Sequence, residues 1–238
     1  MKKFMLAAVI AAVGALGVVG VASAIQGGQG IKVKVTNNKA GTKSKPKSVG
    51  ILTVTTTTTP APGEEGKFAT KTAIIYFDKN IVFGGSKFKS CAASQVVSDD
   101  TKCPSGSKVG SGTATARFAG QTVALTVKAY NGPKGTKLAL LVDNQAFGIH
   151  AALTGTLTNT TGAYGKKLTV TIPPNLQQPL AGQFATLTVF LTKVGGTSKG
   201  TPYVGLKGCS GGKLKFKGTF NYTDGTSKTA TTTANCRK

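Results

Sequence analysis

Apolar and polar residues alternate with a period of two along most of this chain, the signature of half-buried β-strands. Lys213 to Tyr222 shows it most cleanly. Leu214, Phe216, Phe220 and Tyr222 fall on one side, and Lys213, Lys215, Lys217, Thr219 and Asn221 on the other. A pleated strand imposes that separation. Leu168, Val170 and Ile172 alternate with Thr169 and Thr171 until Pro173-Pro174 stops the run, since proline removes a ladder donor. Further strands are expected at 72–77, 108–118, 121–130, 137–142, 148–158 and 184–194, with a final Thr-rich strand running to Cys236. Turn signals separate them: Ala119-Gly120, Asn131-Gly132 and Asp224-Gly225. Helix is expected only as a turn or two near Ala92 to Val97.

Ahead of these strands, Ile31, Val33 and Val35 alternate with Lys32 and Lys34, a possible first strand. Thr36 to Ser48 is polar and carries four lysines. Residues 50–59 form a β-branched run closed by Pro60-Ala61-Pro62-Gly63. Many short strands with close turn punctuation predict an all-β fold, a single-domain antiparallel β-sandwich with short connecting turns and little helix. The expected division is a signal peptide at 1–24, a flexible basic segment at 25–49 and the sandwich domain at 50–238.

The signal peptide rests on three features in order. Lys2 and Lys3 form a basic start, Phe4 to Ala22 is apolar, and Ala22-Ser23-Ala24 is an A-x-A-like cleavage site. The competing reading is an uncleaved membrane anchor, because the apolar run is almost long enough to span. Position 25 is Ile, so the lipid-attachment cysteine of a bacterial lipoprotein is absent. Cleavage leaves 214 residues, ample for a core. The expected location is extracellular, or loosely associated with the cell envelope.

Four cysteines in an exported chain read as two disulfides. Three connectivities are possible. Locality favours Cys91–Cys103 and Cys209–Cys236. Zinc fails on spacing, because no C-x-x-C occurs and His150 is the only histidine.

Charge adds the one strong functional hint. Thirty basic residues face seven acidic ones, a formal charge of +23, or +21 without Lys2 and Lys3. Only Arg117 and Arg237 are arginines. Base-edge recognition leans on the planar guanidinium, so sequence-specific nucleic-acid binding is not expected. A lysine field attracts anionic polymers generally, in a salt-dependent way. Lys213, Lys215 and Lys217 recur at every second position, roughly 6.5–7 Å apart on one strand face, and are the candidate polyanion-binding residues. The alternative is that they keep a sheet face wet or blunt an edge strand.

Three segments resemble stretches of secreted actinobacterial β-rich proteins that carry no assigned activity. They are Lys102 to Thr113 (KCPSGSKVGSGT), Asn131 to Gly135 (NGPKG) and Ile172 to Pro179 (IPPNLQQP). Tyr164 to Leu168 and the closing Cys209 to Cys236 segment extend the likeness over most of residues 72–236. The resemblance implies export, disulfides and a β-rich fold. It implies no catalytic or binding residue.

Catalytic patterns are incomplete. Gly208-Cys209-Ser210-Gly211-Gly212 fits G-x-S-x-G, but no His follows Ser210, and no Asp lies between His150 and Ser210. His150 sits in an apolar run and reads as an ordinary half-buried residue. Among the acids, Glu64-Glu65 and Asp99-Asp100 read as solvated loop residues. Asp143 has no obvious partner for glycosidase chemistry. No EF-hand spacing surrounds Asp99-Asp100. Gly211-Gly212-Lys213 lacks the upstream glycine of a phosphate loop. The absence of Trp argues against an aromatic sugar platform, although Tyr164 and Tyr203 near turns could stack on a ligand. Asn159-Thr160-Thr161 and Asn221-Tyr222-Thr223 match the glycan-acceptor pattern. The expectation is therefore a non-enzymatic envelope or extracellular protein without cofactor or metal, attaching to anionic envelope polymers or polysaccharide. The alternatives are a hydrolase with an unrecognised site, or an adhesin or inhibitor using the loop from Ile172 to Gly182.

Overall fold

The structure, a computed structural model, describes residues 27–64, 66 and 69–238. The expected signal peptide and its cleavage site lie outside the described residues.

Period-2 runs become strands nearly where the pattern puts them. Eleven long strands are β1 (Gly27–Val35), β2 (Ile51–Pro60), β3 (Thr70–Asp78), β4 (Lys108–Phe118), β5 (Gln121–Asn131), β6 (Lys137–Asn144), β7 (Ile149–Asn159), β8 (Tyr164–Thr171), β9 (Thr186–Gly195), β10 (Lys213–Tyr222) and β11 (Ser227–Asn235). Two short helices accompany them, α1 (Ala93–Asp99) and α2 (Pro174–Gln177).

All eleven strands belong to one antiparallel sheet, in the order β1-β2-β9-β4-β5-β6-β7-β8-β3-β10-β11. The pairing does not divide them into the two packed sheets of the expected sandwich. The sheet instead curls until its ends approach, giving a nearly closed, barrel-like shape. Eleven strands are enough to turn a twisted sheet back on itself, and closure removes exposed edges. At the seam, Gln29 of β1 accepts a hydrogen bond from Tyr222 of β10. Below it, Lys39 bridges to Arg237, with Ala40 N donating to Arg237 O and Arg237 N to Asn38 O.

The domain boundary expected at residue 50 is corrected by this pairing. β1 runs antiparallel to β2 from Gly27↔Pro60 to Val35↔Leu52, and Ile31 and Val33 are buried. Gly27–Val35 is thus part of the sheet, with Ile31 and Val33 in the core, and not a flexible lead-in. The alternation read there as a possible first strand is this strand: Lys32 and Lys34 lie on the outer face, while Ile31 and Val33 point inward.

One continuous core lines the interior, with Phe216, Leu214, Leu206, Ile81 and Leu52 essentially inaccessible to solvent. Truncating Phe216 to Ala would cost about 3–5 kcal/mol. A small three-stranded sheet (Lys47–Ser48, Val204–Leu206 and Ile81–Phe83) closes one end of the barrel, contributing Val49, Val204 and Ile81 to that core. The turn from β6 to β7 and the segment 172–185 stand at the opposite end.

Both disulfides join the local partners expected, Cys91–Cys103 and Cys209–Cys236. The first pins α1 against the outer face of β5 and β6, where Val96, Tyr130, Ala139 and Leu141 form a satellite cluster. Asn131-Gly132 does start the turn into β6, but Asn131 is fully buried. Its Nδ2 donates to Gly85 O and Lys89 O at 3.0 Å each, anchoring the loop before Cys91. Gly135 has φ of +63°, and a Cβ there would meet Ser86 N at 2.2 Å, so neither its backbone nor the space tolerates a side chain.

Candidate functional site

Alternation along β10 sends Leu214, Phe216, Phe220 and Tyr222 into the core and leaves Lys213 and Lys215 exposed, with Lys217 half-buried. The three candidate lysines therefore share the outer face of the barrel. β10 is not an edge strand. β3 pairs with it on one side and β11 on the other, so edge protection does not account for the lysines.

Cross-strand register builds the surface around them. Lys217 lies opposite Thr231 on β11 and Tyr76 on β3, and Tyr76 in turn lies opposite Lys167 on β8. Lys215 lies opposite Thr233. The Lys217 Nζ sits 4.1 Å from the Tyr76 ring centroid and 5.5 Å from that of Tyr164, and the two rings are tilted against each other at 5.6 Å. An ammonium over aromatic faces gains about 0.5–1 kcal/mol at an exposed site, so Lys217 is held in place. Lys213 and Lys215 are not so restrained.

No described carboxylate neutralises the row. Ion pairs between described residues are Lys102–Asp99, Lys128–Asp100 and His150–Asp143. Asp78, the acid closest in register, is buried and turned to the backbone. Its Oδ2 accepts from Lys215 N at 2.9 Å, and its Oδ1 from Asn80 N and Nδ2, both at 2.9 Å. It terminates β3 and stabilises the turn, leaving the Lys215 ammonium free.

Sequence reasoning missed Tyr76 and Tyr164 as partners of Lys217. Tyr76 was visible as an outward position of its strand. Its contact with Lys217 depends on β3 pairing with β10, which the chain does not announce locally. Tyr164, considered as a ligand platform, stacks on Tyr76 instead. Tyr203 is buried against Phe88, and its desolvation pushes the hydroxyl well above the ordinary tyrosine range.

The incomplete catalytic patterns gain nothing from the fold. Cys209 of the G-x-S-x-G match is in a disulfide, and Ser210 Oγ meets Asn80 Nδ2 at 3.4 Å. His150 is not half-buried within an apolar strand as expected: it faces outward with its side chain 49% exposed. Nor is Asp143 without a partner. It lies opposite His150 in the β6–β7 register, with Oδ1 2.7 Å from Nδ1. The other ring nitrogen is 2.9 Å from Val97 O of α1. Both nitrogens face acceptors, so the imidazolium is the form that satisfies both. The Asp143 hydrogen bond, then that to Val97, raises the His150 pKa.

Asp100 likewise is no free loop acid. It accepts from Lys128 Nζ at 2.6 Å and Tyr130 Oη at 2.7 Å. These bonds, Lys128 first, hold its carboxyl below the usual carboxylate range. Both acid clusters fasten α1 to the barrel wall. Among the described residues no group of three or more potential ligands could hold a metal ion, and no helix is long and apolar enough to cross a membrane.

Comparisons with known proteins add no relative: no protein family, curated protein or solved structure matches this chain.

Proposed function

We propose that this is an exported, non-enzymatic protein that attaches to anionic polymers of the cell envelope through the lysine-bearing outer face of β10. The observation that supports this most directly is the row Lys213, Lys215, Lys217, unneutralised by any described carboxylate and anchored at Lys217 by two tyrosine rings. Such a row matches a linear polymer with regularly spaced charges, such as a polyphosphodiester or an acidic polysaccharide. Two disulfides suit an oxidising, extracellular compartment. The surplus of lysine over arginine suits attraction without base reading.

The test compares two triple variants. One replaces Lys213, Lys215 and Lys217 by Gln. The other replaces Lys43, Lys45 and Lys47, which have the same spacing and are exposed outside the main sheet. Binding to a glycerol-phosphate polymer and to an acidic polysaccharide is measured across a salt series. Removing the β10 row is expected to flatten the log–log salt dependence by about 2–3 units, near one per lost contact, and removing Lys43, Lys45 and Lys47 by distinctly less. Equal losses would reduce the interaction to diffuse net charge and overturn the assignment of the site to β10.

A further inference from the structure

Eight strands make a barrel whose interior side chains can just fill, and the width grows with strand number. Here eleven strands are curled around inward residues that are mostly Leu, Val, Ile, Ala and Thr, with no Trp in the chain. Space is left over. An inner cavity of about 110 Å³ runs beneath Phe77, Leu138, Leu140, Val170 and Phe220. It reaches from Phe83 and Tyr203, by the plugged end, to Ile172 and Phe190. A second cavity of about 360 Å³ lies at the other end, among Ala114, Ala116, Leu125, Ala151, Leu176 and Ala185. Thr70, Leu153, Ile172, Leu187 and Phe190 line both, so the two adjoin end to end.

Chemistry grades from the inner cavity to the outer one. The inner cavity has one charged residue on its lining, Lys137, which is exposed at the rim. A cavity lined so largely by apolar side chains accepts apolar guests. The outer cavity adds Asn175 and Gln177. Two of the three large exposed hydrophobics among the described residues stand at this end: Phe147, on the lining, is 47% exposed, and Leu180, next to Pro179 of the lining, is 56% exposed. Phe118 also borders a neighbouring recess of about 230 Å³ that contains Arg117 and Gln183. Arg117 itself lies on the outer face of β4, in that recess, between Ala116 and Phe118 of the cavity lining.

We infer that the barrel interior is a binding site for a single-chain aliphatic amphiphile with an anionic head, a long-chain carboxylate being the simplest case. The tail occupies the two adjoining cavities and the carboxylate remains at the mouth beside Arg117. Two chambers in line favour an unbranched chain over a broad ring system. A strongly basic protein with an arginine at the lip favours an acid over the corresponding alcohol. This site is independent of the lysine row on the outer face.

The experiment titrates the disulfide-bonded protein with palmitate and with hexadecanol, by calorimetry and native mass spectrometry, and repeats it with saturated acids of increasing length. Saturable one-to-one binding of palmitate is expected, tightening with chain length and then levelling when the cavities are full. Ala116→Trp and Ala185→Trp, at half-buried lining positions on the paired ends of β4 and β9, should each weaken palmitate by about tenfold or more. Arg117→Gln should weaken palmitate about two- to fivefold and leave hexadecanol unchanged. The absence of saturable palmitate binding by the unaltered protein overturns the inference. So does affinity that ignores chain length, preference for a sterol over palmitate, or folded Trp variants that bind as the parent does.

Discussion

Tyr222 Oη donates to Gln29 Oε1 at 2.5 Å, joining β10 to β1 across 193 residues of chain. These strands have no ladder between them, so the bond acts at the seam where the sheet returns to its beginning. Gln29 also accepts from Thr58 Oγ1 at 2.9 Å, tying the seam to the second strand.

Tyr222→Phe removes the seam donor while leaving Gln29 its threonine partner. The expected cost is about 1 kcal/mol, read as a lower denaturation midpoint at unchanged slope. Burial pushes the Tyr222 hydroxyl up to about 12, above its ordinary value near 10. A raised folded pKa stabilises fully below the unfolded value and is lost as pH rises through the folded one. The parent should therefore lose stability between about pH 10 and 12. Tyr222→Phe should lose less over that range. An identical alkaline profile in the two proteins would contradict the assignment.

Cys209–Cys236 closes a loop of 27 residues and Cys91–Cys103 one of 12. On chain entropy alone they contribute about 3.5 and about 3 kcal/mol. Position should separate them further than loop length does. Cys236 belongs to the main core and its neighbour Arg237 pairs with residues 38–40. Opening that bridge with paired Ser substitutions is expected to lower the global unfolding midpoint. Opening Cys91–Cys103 should chiefly expose α1 and the loop before β4 to protease, leaving most of the sheet protected from hydrogen exchange. Equal global losses, with no local cleavage in the second variant, would refute the distinction.

His150 is the only histidine, so its titration can be followed in isolation by NMR. Its folded pKa is raised, with Asp143 the first cause. The contact from α1 to β7 is thus at full strength below the unfolded pKa near 6.5 and weakens as pH rises through the folded value. Asp143→Asn should bring the titration midpoint down. It should also make α1 more labile to exchange at acidic pH, where the parent holds it. An unchanged midpoint would mean that the 2.7 Å pair does not persist in solution.

Much of this molecule is written locally. Strand alternation, proline stops and turn dipeptides depend on neighbours two to four residues apart, and the strands at 108–118 and 213–222 fall where their patterns start and end. The cysteine pairs were legible because each lies within one short stretch. The inward and outward faces of β10, and so the outward lysines, follow from period two alone. Partner choice is another matter. β9 inserts between β2 and β4, and β3 between β8 and β10, pairings that adjacent-hairpin reasoning does not supply. They depend on which curvature lets the inward Leu, Val and Phe residues meet, a property of the whole sheet. That long-range choice gave one nearly closed sheet in place of the expected sandwich and drew Gly27–Val35 into the wall. It also set Tyr76 beneath Lys217, and left two adjoining, largely apolar cavities because eleven strands span more width than their side chains fill.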